Sequence, residues 1–332
     1  MVSMAKPHVL IISPALANAN NGNWQTAHRW AQFLRQHYRV SIVAASETAI
    51  PVSAPHAVIA LHARRSALAL TQFCAAFPAV PTILVLTGTD LYRDIQTDST
   101  AQDSLHLATR LVLLQEDGLQ ELTPALREKA SVIHQSAPSL KPARHSERAR
   151  HFDVTMIGHL RAEKDPATYM RAAAHIDLPQ IRLNHAGAAL DATLGAMAEA
   201  TAREHACYRW LGALPHARAR QHLKRCKLMV ISSIMEGGAN VIIEAVTSGV
   251  PVLASEVSGN RGMLGPDYAG YFPAGDELAL ARLIEHAACD ADFYMQLKTQ
   301  CAARAKLFTV EAEKTAVLQL VDNCIYIKQG TP

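Results

Sequence analysis

The chain holds no apolar run near the roughly 20 residues that a membrane-spanning helix needs, so no membrane partner is expected. It has no H-E-x-x-H and no C-x-x-C spacing, and its sixteen histidines are scattered. No metal site and no cofactor is expected on that ground. Charge of one sign is also scarce. Lys and Arg number 32 against 29 Asp and Glu, and a net +3 is too small for a protein held to nucleic acid by a general basic field. No G-x-G-x-x-G follows the early apolar segments, which disfavours a nicotinamide-dependent oxidoreductase. The cysteines are few and dispersed (Cys74, Cys207, Cys226, Cys289, Cys301, Cys324). Reduced, mostly buried thiols and a cytoplasmic location are the expectation. Lys6, Val9-Leu-Ile-Ile12 and Ala15-Leu-Ala17 faintly resemble a secretory leader, but the apolar stretch ends after four residues at Ser13-Pro14. A first buried strand is the better reading. Repeats of short period and low-complexity tracts are lacking too.

What the chain does have is 332 residues, 49% of them hydrophobic, enough for two domains with sizeable cores. Short apolar segments alternate with helical stretches, the pattern of parallel α/β units. Residues 9–12, 40–44, 57–61, 82–86, 111–114 and 131–134 read as strands, with helices over 24–37 and 66–77. Strands resume at 153–157, 181–186, 208–211, 228–232 and 250–254. Between the two sets, the charged stretch Lys141 to His151 reads as a solvated interdomain linker in preference to a basic docking site. The expected architecture is α/β with two Rossmann-like domains facing each other across a cleft. Residues 1–145 form the first domain and 151–308 the second, with a terminal helix over 309–328 that can return to the first.

Four clusters carry chemistry. In Met235-Glu236-Gly237-Gly238-Ala239-Asn240, followed by Glu244, two glutamates bracket a Gly-Gly turn and the start of a helix over 240–248. Backbone N–H groups at a helix start attract phosphate, whereas carboxylates do not. Glu236 and Glu244 are therefore expected to face hydroxyl groups, one set on a sugar and one on a ribose. Gly158-His159-Leu160-Arg161-Ala162-Glu163-Lys164-Asp165 follows a strand, where Arg161 and Lys164 can offset the charge of a departing diphosphate. Gly22-Asn23 opens the helix after the first strand; Asn21 or Asn23 caps it, or its N-terminus holds an anionic acceptor. Thr87-Gly88-Thr89-Asp90-Leu91-Tyr92-Arg93 lies at another strand end, with Thr87, Thr89 and Arg93 available to an acceptor and Asp90 available as a cap. Ser258 to Gly265, including Asn260, either lines the donor pocket or is a plain surface loop.

Together these residues resemble a retaining GT-B glycosyltransferase of the large family 4 grouping, over essentially the whole chain. That resemblance implies donor-sugar contact by Glu236 and ribose contact by Glu244. Lys164 matches the lysine of the family's G-R-L-x-x-E-K-G phosphate loop. His159 stands at the arginine's place, so Arg161 takes over that role. Asn21-Gly22-Asn23 matches the family's first glycine-rich loop, and Thr87 replaces the histidine that often precedes the glycine of its H-G-T-D segment. Altered acceptor chemistry is the implication. The segments at 21–23, 61–66, 86–94, 158–166, 236–240 and 259–265 are similar to glycosyltransferases that join selenophosphate to the sugar of UDP-N-acetylglucosamine. The implied catalytic residues are Glu236, Lys164 and Arg161. The donor would meet Glu244, Gly237, Gly238, Ala239, Asn240, His159 and Asn260. The acceptor would meet Gly22, Asn23, Thr87, Thr89 and Arg93, with Arg64 and Arg65 as further cations. The alternative is a family 4 enzyme acting on a sugar, lipid or small alcohol; a catalytically silent sugar-nucleotide binder is a further one.

Overall fold

The computed structural model describes residues 5–16, 22–46, 51–140 and 150–326. Most of the charged stretch at 141–151, and Asn21, lie outside them. The chain divides into two compact units, one of Met1–Gln135 with Val310–Pro332 and one of Ser136–Thr309.

The first unit is a six-stranded sheet of β1 (His8–Ser13), β2 (Arg39–Ala44), β3 (Ala57–Leu61), β4 (Thr82–Val85), β5 (Arg110–Leu113) and β6 (Ala130–Val132), in the order β2-β1-β3-β4-β5-β6. The second holds β7 (Phe152–Ile157), β8 (Ile181–Ala186), β9 (Tyr208–Trp210), β10 (Leu228–Ile231), β11 (Val252–Ser255) and β12 (Tyr271–Phe272), in the order β12-β11-β10-β7-β8-β9. Every pairing is parallel. Parallel sheets are covered by helices on both faces, so their strands are apolar throughout rather than alternating. All residues of β3 and of β10 are buried accordingly.

Each sheet reverses its strand order once. In the first unit the chain moves outward from β1 to β2 and then returns to place β3 on the other side of β1. In the second, β7, β8 and β9 run one way and β10 to β12 the other, so the reversal falls between β7 and β10. Open α/β sheets bind ligands at the carboxyl ends of strands beside such a reversal.

Helix ends depart by a few residues from the sequence reading, as element ends do. The first helix is Gly22–Leu34, so Asn23 sits inside its first turn and does not cap it. Strand β11 starts at Val252 rather than 250, because Pro251 has no N–H to give the sheet and contributes only its carbonyl, to Met229 N at 2.9 Å. Residues 90–94 form one π-helical turn, and Ser258–Leu264 is a short, mostly buried helix, not a surface loop. The pair Tyr271–Phe272 adds an edge strand too short for any periodic signal.

The helix Val310–Tyr326 packs on Gly22–Leu34 and puts Val317, Val321, Cys324 and Ile325 into the core of the first unit. The buried Glu313 carboxylate takes Trp30 Nε1 at 2.7 Å and Arg29 Nε at 2.7 Å. A carboxylate at 1% exposure is tolerable only with such partners.

Candidate functional site

The segments that follow β7 and β10 flank the order reversal of the second sheet. Lys164 lies in the turn Ala162–Lys164 after β7, and Glu236 in the loop after β10. The Lys164 ammonium donates to Glu236 Oε1, and Ser233 Oγ donates to the same oxygen at 2.6 Å. Among the described residues no hydrogen bond reaches Glu236 Oε2. Glu236 is 8% exposed, and both of these hydrogen bonds fall on Oε1.

Three serines hold this arrangement together. Ser232 Oγ reaches the carbonyls of Lys164 and Asp165 at 3.2 and 2.7 Å, tying the two loops. Ser255 Oγ donates to Ser233 O at 2.5 Å. Asn260, fully buried, donates from Nδ2 to Ser255 O and Oγ at 2.9 and 3.1 Å. Asn260 thus reaches Glu236 through Ser255 and Ser233. Gly259 lies so close that a Cβ there would sit 1.8 Å from Glu236 O. Asp165 takes a left-handed φ of 39° and caps the helix Pro166–Ala172 through Thr168 N. That left-handed residue turns the chain from the Lys164 loop directly into the helix.

Arg161 is exposed and finds no ion-pair partner among the described residues. His159 is anchored through Nδ1, which accepts from Ala188 N at 3.1 Å. Burial holds its imidazole below the ordinary value, and the charges of Arg161 and Lys164 push the same way. The three side chains therefore share one electrostatic neighbourhood. Gly187 makes it possible for the loops after β7 and β8 to touch: a Cβ there would lie 1.8 Å from Gly158 O.

Gly237, Gly238 and Ala239 lead into the helix Asn240–Thr247, which has no side-chain cap. Its leading N–H groups stay open to an anion. Glu244 lies just over one turn in. Its Oε1 meets His216 Nε2 at 2.6 Å and Arg220 Nε at 3.8 Å, both from the helix His216–Arg225. The hydrogen bond to Glu244 raises the His216 pKa. Ser233, His216 and Arg220 were not among the residues singled out from the sequence. Ser233 had a local signal, a serine three positions before Glu236. His216 and Arg220 had none, since Glu244 lies 28 positions beyond His216.

In the first unit the loops after β3 and β4 interlock around Asp90. Its buried carboxylate accepts from the backbone of Ala63 at 2.9 Å, Thr87 at 2.9 Å and Gly88 at 2.8 Å, so Asp90 caps the turn. Thr89 Oγ1 lies 3.1 Å from His62 Nε2. Arg93 Nε donates to Asp94 at 3.1 Å, and Arg64 Nε to Asp98 at 2.8 Å. Gly22 and Asn23 start the helix after β1, where Thr26 Oγ1 bonds Gly22 O at 2.9 Å. Thr87, Thr89 and Arg93 are thus gathered in one turn. Gly22 and Asn23 belong to a different strand end of the same sheet. His62, within the segment 61–66, is the residue that joins the two loops.

Among the described residues no cluster of metal-ligating side chains occurs, and no helix is long and apolar enough to cross a membrane.

Two parallel six-stranded α/β units, one of them with acidic and basic side chains converging at its order reversal, define the GT-B class of glycosyltransferase. Residues 140–306, half of the chain, match the family described as Glycosyl transferases group 1, and the chain belongs to that family. The solved structures agree on the fold. Sucrose-phosphate synthase (tll1590) from Thermosynechococcus elongatus superimposes with a TM-score of 0.77 at 17% identity, covering 95% of this chain and 98% of that one. Alr3699/HepE of Anabaena, in complex with UDP and glucose, gives 0.73 at 15% identity, covering 96% and 100%. A glycosyltransferase from Rickettsia africae gives 0.71 at 12% identity, covering 97% and 99%.

Proposed function

We infer that this glycosyltransferase is a selenosugar synthase of selenoneine biosynthesis, moving N-acetylglucosamine from UDP-N-acetylglucosamine to selenophosphate. The selenium forms a bond to the anomeric carbon, the bond from that carbon to the diphosphate oxygen breaks, and its electron pair leaves with UDP. The observation that carries the donor half is Glu236, clamped on Oε1 by Lys164 and Ser233 with Oε2 open. A hydroxyl donated to that oxygen makes a charged hydrogen bond, about 1.5–3 kcal/mol. Lys164, Arg161 and the amides leading into Asn240–Thr247 are the groups for the diphosphate, where fixed positive charge lowers the barrier most. Glu244 is the group for the ribose, which would exchange with His216. HepE of Anabaena, with the same fold, binds UDP and glucose, which favours a UDP-sugar here.

The acceptor half rests on the pattern of segments at 61–66 and 86–94 and on the chemistry of their residues. Asp90 spends its carboxylate on three backbone amides and is a poor base. An alcohol nucleophile would need a base to take its proton. Selenophosphate is already anionic and needs cations and donors instead, which Thr87, Thr89, Arg64, Arg65 and Arg93 supply.

The test is incubation of the purified chain with UDP-N-acetylglucosamine and selenophosphate, following UDP and selenosugar by mass spectrometry. Selenophosphate-dependent release of UDP with a selenium-bearing sugar is expected. UDP release indifferent to selenophosphate, but stimulated by a sugar, lipid or small alcohol in a parallel screen, would replace this acceptor with that one.

A further inference from the structure

His62 closes β3 with a left-handed φ of 71°, a conformation strained for a residue with a Cβ. Among the described residues the other such case is Asp165, whose strain accompanies a helix cap. His62 caps nothing. Its backbone stays in the sheet, with N donating to Val85 O at 2.9 Å, while its side chain is almost wholly buried between the two loops. Strain of this kind persists only where the surroundings over-determine it, and it clusters at functional sites.

The ring's tautomer follows from its partners. Nδ1 accepts from the backbone N–H of Arg65 at 3.3 Å, so it carries no proton. A neutral ring then has its proton on Nε2, 3.1 Å from Thr89 Oγ1. Three charged groups face it. Asp90 Oδ2 lies 4.0 Å from Nδ1 and Asp94 Oδ2 lies 3.9 Å from Nε2, beyond hydrogen-bond reach. Arg65 adds positive charge nearby. Burial, the largest influence, holds the ring below the ordinary imidazole value and so keeps it neutral. A threonine oxygen that accepts from Nε2–H directs its own proton elsewhere, and Thr89 is only partly buried. The nearby Arg65 guanidinium has no carboxylate partner among the described residues, unlike Arg64 and Arg93.

We propose that His62 is a positioning residue: by donating to Thr89 Oγ1 it turns the threonine hydroxyl outward as a hydrogen-bond donor to a tetrahedral oxyanion, the acceptor, with Arg65 as the accompanying cation. This deepens the acceptor half of the proposed function and rests on it.

The test uses the full chain. Asparagine tolerates a left-handed φ but is too short to reach Thr89, so His62→Asn removes the donor and spares the backbone. His62→Asn and Thr89→Ala should each raise KM for selenophosphate about tenfold, the scale of one lost hydrogen bond. KM for UDP-N-acetylglucosamine should stay unchanged. The double variant should be no worse than either single one, and Thr89→Ser should restore the wild-type value. Effects that multiply, or that fall equally on donor and acceptor KM, would mean a merely structural role and overturn the proposal. If the wild type ignores selenophosphate, the selenosugar reading fails separately. Imidazole ¹⁵N spectra then decide with inorganic phosphate as the probe. A His62 ring protonated on Nε2 that responds to phosphate in the wild type, and not in Thr89→Ala, supports the proposal. A ring protonated on Nδ1, or one silent to phosphate, overturns it.

Discussion

Gly259→Ala probes how tightly the Glu236 loop is held. The new Cβ would lie 1.8 Å from Glu236 O, 2.5 Å from its carbonyl carbon and 2.8 Å from its Cβ, where real Cβ contacts are not shorter than 3.0 Å. Something must retreat by about 1.2 Å. The helix Ser258–Leu264 cannot do so cheaply. Arg304 bonds the carbonyls of Gly262 and Met263 at 2.8 and 2.9 Å, Tyr271 Oη donates to Gly265 O at 2.8 Å, and the Asn260 amide is locked to Ser255. Ser233, at the head of the loop, is pinned by Ser255. The displacement therefore falls on the chain around Glu236, and its carboxylate leaves the Lys164–Ser233 clamp. Overpacking of this sort costs about 1–3 kcal/mol of stability. A misplacement near 1 Å at reacting groups costs on the order of 10²-fold in rate. UDP release should fall about 10²-fold, while melting drops by only several degrees and the chain stays folded. Turnover within threefold of wild type would refute the claim that the Gly259 contact sets Glu236. Gly158→Ala is the control for stability, because its Cβ would meet Lys164 Cγ at an ordinary 3.9 Å; its melting temperature should not change.

Glu236→Gln and Lys164→Ala should each lower UDP release at least about tenfold, and near-normal rates would remove them from the site. Glu313→Ala strands Arg29 and Trp30 and should cost about 3–5 kcal/mol in denaturant unfolding; a loss under about 1 kcal/mol would show the carboxylate is not needed. Burial lowers the His185 pKa to about 4, so the unfolded chain takes up a proton below about 6.5 that the folded chain refuses. The stability from His185 is complete above about pH 6.5 and falls by roughly 3 kcal/mol as pH drops to about 4. Compared with wild type, His185→Leu should flatten the pH dependence of melting across that window, and parallel curves would contradict it. The His216 pKa is raised by Glu244, so their pair is fully formed below the ordinary histidine value and is lost as pH rises through the raised one. His216 is more than half exposed, so the effect is small, below about 1 kcal/mol. The melting difference between wild type and His216→Ala should vanish at alkaline pH; a difference that grows there would reverse the sign.

What the sequence determines alone is what short range can encode. Apolar runs of four to six residues separated by helical stretches announce parallel strands, because a strand covered on both faces needs no polar positions. Met235 to Glu244 and Gly158 to Asp165 are legible because a strand, a glycine turn and a helix start follow one another directly, and that succession fixes which groups face the strand end. Partners that come from elsewhere are not legible. Trp30 meets Glu313 across 283 positions, His62 meets Thr89 across 27, and His216 meets Glu244 across 28. Nothing in the flanking residues of any of these pairs names the other member. Only the order of strands in each sheet, β7 beside β10 and β3 beside β4, brings Lys164 to Glu236 and His62 to Thr89. Sheet order is a consequence of how whole layers pack, so the tertiary structure decided the site's geometry while local sequence supplied its chemistry.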